Sequence, residues 1–475
     1  MGSGNVRKVL LVISVTTLAS FITGLNARLG LVGFPIIAHD LNAGVDGMLW
    51  IIQGYMLGST IVQLIVGGLA DIYGRVRLFN LGFIVFTVGA LAAGLSTDWF
   101  VLALARVLQG VGGAFLMSLS ITILTDNVPQ GLLGTWLGIN QIAWRVGAML
   151  GLTISGVIID VLGWRWLYLI QAPVTVLALF WSLTTLKETY KPLRPKCLDI
   201  TGFTLFTTSL TLLLTYLTLI FRGVPPKVSV LMLTSCVILL TSFIAWECRS
   251  ECSALDLTIF KNWQFAGGII SQILYSLGFG ASLTMLVILL EVGKGMSATL
   301  TGLGVLPFEA SFLVFGILGG RLSDKYGYAP ITTIGLIMST TALYILSKIS
   351  ANIETLPLLI TTTVLLGIGT GLFTAPNTSS IMSAVSPDKR GVASALRTLS
   401  FNIGFLISLN IAFLILINYI PFQEASQIIL LGEAVEAVGM DEKLITAISN
   451  AFIIQAVFMA LAIPFSISRL KYRSK

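Results

Sequence analysis

Charged side chains are rare inside the apolar stretches of this chain, and chemistry is expected where they occur. Glu309 lies near the middle of one such stretch, about 18 Å along it at 1.5 Å per helical residue. It is the sole acid so placed. Burial favours the protonated form of a carboxyl, so such a group can load and release a proton. Arg145 lies about 20 Å along another stretch, again near its middle. Arginine stays charged even when buried, so Arg145 requires an acid, aligned dipoles or an anionic solute. Arg28 and Arg106 fall toward the outer ends of their stretches and Arg397 toward the inner end of its own. Arg28 and Arg397 are also long enough to reach lipid headgroups. A charge in hydrocarbon costs about 2.5–3.5 kcal/mol or more, so each is a functional candidate by default.

Amides fill out the same zone, Asn26 and Asn377 among them. With Arg28 and Arg145 they are the candidate lining of a solute cavity. Such amides also serve as glue between helices. Interior arginines outnumber interior acids, which favours an anionic or zwitterionic solute over a lipophilic cation. Other chemistries find no support. The one histidine, His39, sits in a loop, and no nucleophile or metal constellation accompanies it. Cys248 and Cys252 are one helical turn apart, but two thiols without further ligands do not make a metal site. No metal, no cofactor and no enzymatic activity are expected.

The elements that position these groups follow from hydropathy. The chain has 475 residues, of which 56% are hydrophobic and 10% charged, and its mean hydropathy is +0.95. Soluble domains carry about 25% charge. A membrane-crossing helix needs about 20 apolar residues. About fourteen segments qualify, near 9–38, 47–70, 77–95, 99–126, 131–159, 165–186, 198–221, 228–248, 263–291, 297–320, 329–349, 355–384, 391–420 and 444–468. Backbone in lipid must satisfy its own hydrogen bonds, so continuous apolar runs imply helices. The first segment lacks a cleavage site and is expected to be a permanent span.

The net charge of +7 reflects topology. Arg75, Lys187, Lys191, Arg249, Arg321, Lys325, Arg469 and others fall on one side of a fourteen-span topology, while the opposite loops carry few bases. This positive-inside bias places both termini in the cytoplasm. A nucleic-acid partner is not expected. The partners are a small solute and membrane lipid, and the chain is expected to act as a monomer in the cytoplasmic membrane.

Two loops repeat each other. Gly67-Gly68-Leu69-Ala70-Asp71-Ile72-Tyr73-Gly74-Arg75 returns about 253 positions later as Gly320-Arg321-Leu322-Ser323-Asp324-Lys325-Tyr326-Gly327. Each lies between two apolar segments. Duplicated bundles with a site where the repeats meet are the usual architecture of secondary transporters. The expected domains are therefore a six-helix bundle over 1–190, an inserted two-helix hairpin over 191–258 and a second six-helix bundle over 259–475. Gly110, Gly112 and Gly113 in the fourth segment recur in kind as Gly367, Gly369 and Gly371 in the twelfth, and small residues so spaced allow helices to approach closely.

The repeated loop is similar to the signature between helices 2 and 3 of the major facilitator superfamily. Arg106-Val107-Leu108-Gln109-Gly110-Val111-Gly112-Gly113-Ala114 resembles that superfamily's helix-4 signature. Gly163-Trp164-Arg165-Trp166 through Pro173, and Pro387-Asp388-Lys389-Arg390-Gly391, resemble the starts of helices 6 and 13 in its fourteen-helix drug:proton antiporter branch. The resemblance implies proton-coupled export of a small organic solute by alternating access, driven by the proton gradient, with Arg106 in a polar network; Arg106 is expected to share the proton coupling with Glu309, whose own candidacy rests on its position. Three departures stand out. Where the branch carries an acid in helix 1, this chain has Asn26, followed by Arg28. The helix-5 antiporter signature lacks its proline over Gly147–Gly156. The second loop has Tyr328 where the first has Arg75. An organic-anion exchanger or symporter using the buried arginines is therefore the alternative reading.

The loop has a role that charge alone supports. Asp71 lies at the inner end of the second segment, and the thirteenth segment starts on that side, near Lys389 and Arg390. A helix N-terminus carries about half a positive charge. Asp71 facing it would latch the inner gate, with Arg75 receiving Asp71 on opening. Local capping is the other role open to Asp71. Gly67, Asp71, Gly74, Arg75, Asp324 and Arg390 make up the candidate gate.

Overall fold

The computed structural model describes residues 3–29, 31–63, 65–127, 130–188, 199–220, 224–250, 257–349, 356–386, 390–420 and 440–471. Among them every regular element is helical. In chain order these are α1 (Ser3–Arg28), α2 (Phe34–Asp40), α3 (Gly44–Gln63), α4 (Val66–Tyr73), α5 (Arg75–Gly94), α6 (Trp99–Asn127), α7 (Gln130–Leu162), α8 (Arg165–Leu169) and α9 (Gln171–Thr185). Then come α10 (Ile200–Leu219), α11 (Pro226–Arg249), α12 (Trp263–Phe279), α13 (Ser282–Glu291), α14 (Ala298–Tyr326), α15 (Tyr328–Ile349), α16 (Leu356–Ser383), α17 (Arg390–Tyr419) and α18 (Met440–Ser468).

Thirteen helical stretches among the described residues are long and apolar enough to cross a membrane. α3 is not one of them, its apolar character diluted by Asp46, Gln53, Gln63 and several glycines. Four expected segments differ in detail, 165–186 dividing into α8 and α9 and 263–291 into α12 and α13. The first segment of the chain ends at Arg28 and does not run to 38: Gly33 takes φ +89° and α2 starts afresh. The second segment is broken between α3 and α4.

The helices gather into two compact units. One comprises residues 1–34, 50–209 and 238–254, and the other 35–49, 210–237 and 255–475. In the first, α1 packs on α7 and α5 on α6; in the second, α16 packs on both α14 and α15. The glycine repeat is structural in both. Gly110 of α6 backs onto the Tyr55 carbonyl of α3, and Gly112 onto Phe86 of α5. Likewise Gly367 of α16 backs onto the Phe308 carbonyl of α14, and Gly369 onto Gly335 of α15. No side chain fits at these contacts, so the backbones touch.

Candidate solute site and gate

Arg106 is the centre of the first unit's polar core. α6 buries it to 3% exposure. Its Nη1 donates to Asn26 Oδ1 on α1 at 2.9 Å and to Gln109 Oε1 at 2.9 Å. The guanidinium lies 5.0 Å from the Tyr55 ring centroid and 5.6 Å from that of Tyr168. Cation–π contact with two rings offsets part of the lost hydration. The chain of donors continues. Gln109 Nε2 donates to Gln171 Oε1 at 3.4 Å, and Gln171 Nε2 to the Leu167 carbonyl at 2.8 Å. Every ligand is neutral. Arg106 Nε and both amide atoms of Gln53 are buried without a hydrogen-bond partner among the described residues.

Arg145 is partly buried on α7. The preceding Trp144 carbonyl faces Gly24 of α1, about one turn before that helix ends at Arg28. Arg28 closes the last turn of α1, where the helix dipole favours a cation.

The second unit holds the other two candidates. Glu309 on α14 is 4% exposed, two residues beyond Pro307 and next to the fully buried Phe308. Asn377 follows Pro376 inside α16 and is fully buried. Its Oδ1 accepts from Arg469 Nη1 at 2.8 Å; its Nδ2 donates to the Gly268 carbonyl at 3.2 Å and to Gln272 Oε1 at 3.3 Å. Asn26 and Asn377 thus have matching roles, each an amide acceptor for a buried arginine.

Arg469, one of the bases placed on the inner side from the sequence, joins this cluster. It is 3% exposed at the end of α18, with Ser380 Oγ at 3.4 Å and Ser466 Oγ at 3.5 Å as further acceptors. Gly267 and Gly268 of α12 leave room for its side chain. Burial pulls its pKa down to about 10, so it remains charged near neutrality. α16 and α18 both terminate close by, and their negative dipole ends supply part of the missing counter-charge.

The repeated loops give the gate region its geometry. Gly74 separates α4 from α5 at φ +101°, and Gly327 separates α14 from α15 at φ +90°. Arg75 Nη1 meets both carboxylate oxygens of Asp126, at the end of α6, at 2.6 Å. Glu188, just beyond α9, accepts from the backbone N–H of Val76 at 2.9 Å, Arg75 at 3.2 Å and Arg77 at 3.4 Å. A carboxylate on three N-terminal N–H groups both caps the helix and meets its positive dipole end. Sequence reasoning missed Glu188 and Asp126, whose spacing carries no signal for partners over 50 positions away. Gly67 and Gly320 are open, with nothing among the described residues near a side chain added there. Asp324 is exposed on α14. The side chains of Asp71 and Arg390 lie outside the described residues.

The profile of the Major Facilitator Superfamily matches residues 16–248 and 268–473. The chain belongs to this superfamily. Among curated relatives, this superfamily member is similar to the riboflavin transporter RibZ of Clostridioides difficile, 29% identical over 404 residues, 83% of this chain and 86% of the relative. It is similar also to the multidrug resistance protein Stp of Mycobacterium tuberculosis, 28% identical over 416 residues, 84% and 75% of the two chains. Among solved structures, a bacterial homolog of the human lysosomal transporter Spinster aligns with a TM-score of 0.68 at 16% identity, covering 100% of this chain and 99% of the other. The xylose transporter XylE of E. coli aligns with a TM-score of 0.63 at 12% identity, covering 98% of each. The chain is a membrane transporter and not an enzyme.

Proposed function

We propose that this transporter exports a small organic solute across the cytoplasmic membrane by alternating access, in exchange for protons. The observation that carries the reading is Glu309, an acid buried to 4% exposure in a membrane-length helix. A carboxyl there can hold a proton in one state and release it in another. The relatives named as multidrug resistance proteins support the export direction. The proposed topology has fourteen spans, α3 with α4 making the second, with both termini cytoplasmic. Two six-helix bundles, 1–190 and 259–475, flank the hairpin 191–258. The proton gradient is the energy source, no cofactor takes part, and the monomer is the working unit. Arg106 belongs to the coupling by holding a fixed charge against which protonation elsewhere is balanced.

A second reading is organic-anion transport, favoured by the neutral acceptors that hold the Arg106 charge. Proteoliposomes under an imposed pH gradient separate the two. Accumulation of a cationic dye such as ethidium supports multidrug exchange. Accumulation of dicarboxylates, with no dye movement, supports the anion carrier.

A further inference from the structure

α12 and α13 form one apolar stretch, Trp263–Glu291, interrupted near its middle. Gly280 keeps helical angles, while Ala281 departs to φ −89° and ψ −7°. In an unbroken helix the Ala281 N–H would donate to the Leu277 carbonyl. Here it donates to Ser408 Oγ of α17 at 3.0 Å, and Ser408 Oγ donates to the Leu277 carbonyl at 2.7 Å. A hydroxyl from a neighbouring helix is thus spliced into the ladder, a known cause of helix bending. The next rung is modified as well: Ser282 Oγ donates to the Gly278 carbonyl at 3.1 Å and to Gln455 Oε1 of α18 at 2.8 Å. Two glycines allow the approach. A methyl on Gly280 would stand 2.7 Å from Phe405 Cα and 2.8 Å from Ser408 Cβ, and one on Gly404 would stand 2.6 Å from Ser276 Cβ.

We propose that Ser408 is a positioning residue that sets a two-state hinge in this span. With the hydroxyl inserted, the span is bent at Gly280–Ala281. With α17 withdrawn, the Ala281 N–H closes on the Leu277 carbonyl and the span straightens. Both states satisfy the backbone, so neither carries an orphaned buried amide. The released hydroxyl has an acceptor too, because a helical serine can bond the carbonyl four residues back, here that of Gly404. The switch therefore exchanges hydrogen bonds and breaks none outright, which keeps the two states close in free energy. Leu277, Ser408, Ile411 and Gln455 line the surface beside the splice. Movement of α17 is thereby converted into bending of a membrane-spanning segment, the kind of bistable element that gating requires.

The test is amide hydrogen exchange in the 277–284 segment of the full-length protein in nanodiscs, read by mass spectrometry. Ser408→Ala removes the inserted hydroxyl, so the direct ladder bond forms and exchange slows about tenfold. Ser408→Thr keeps a hydroxyl and the wild-type rate. Gly404→Ala, which pushes α17 away with Ser408 intact, gives the same protection as Ser408→Ala. Faster or unchanged exchange in Ser408→Ala overturns the proposal, as does a threonine variant that behaves like alanine or a Gly404→Ala variant without protection.

Discussion

Gly74 and Gly327 hold the same uncommon backbone conformation, φ +101° with ψ 139° at one and φ +90° with ψ 157° at the other. Each is the single residue between two helices. The repeat seen in the sequence is therefore conserved down to the torsion angles of its final glycine, a position that side chains rarely tolerate. An added Cβ at Gly74 would also stand 2.6 Å from Glu188 Oε2, whereas at Gly327 the nearest atom is Pro330 Cδ at 3.9 Å. Gly74→Ala and Gly327→Ala should each cost about 1–3 kcal/mol of stability through strain, and Gly74→Ala more. Thermal unfolding of the purified variants reads this; equal losses would show that Glu188 yields without cost.

Glu188 gives the second prediction. Glu188→Ala uncovers three N–H groups at the start of α5 and should destabilise the first unit by about 0.5–2 kcal/mol. Glu188→Gln keeps acceptors but loses the charge, so its loss should be smaller and should shrink further in high salt. A glutamine variant as unstable as alanine at every salt concentration would remove the dipole from the explanation.

A third prediction concerns the buried arginine and its amide. Asn26→Ala strips an acceptor from Arg106, and removing one partner of a buried hydrogen-bonded charge costs about 1.5–3 kcal/mol. Arg106→Met fills the space without a charge and should cost less than Arg106→Ala, because replacing buried charge with apolar volume is often neutral. A methionine variant that unfolds as readily as alanine would mean that the guanidinium itself holds α1, α6 and α9 together.

Much of the fold was legible because membrane spans are long and their backbone rule is strict. The duplicated loop was legible because its glycines are required by torsion angle, which leaves a trace in the sequence. The burial of Arg469 was not legible, because position relative to an apolar segment does not reveal whether a terminal base turns outward or folds back between helices. The pocket that receives it is made of Gly267 and Gly268, and absent side chains advertise nothing. Ser408 was invisible for a related reason. A serine in an apolar helix is ordinarily silent, and its role at Ala281 exists only once α12 and α17 are packed.

Coupling through Glu309 is the central claim, and one measurement tests it most directly. Wild-type protein and Glu309→Gln are placed in liposomes, an inward-directed and then an outward-directed pH gradient is imposed, and ethidium movement and internal pH are followed together. Proton-coupled export predicts that wild-type protein concentrates ethidium against its gradient with matching proton flow, whereas Glu309→Gln binds ethidium but only equilibrates it. Uphill movement by Glu309→Gln at the wild-type rate would contradict the account and place coupling on another group or another ion.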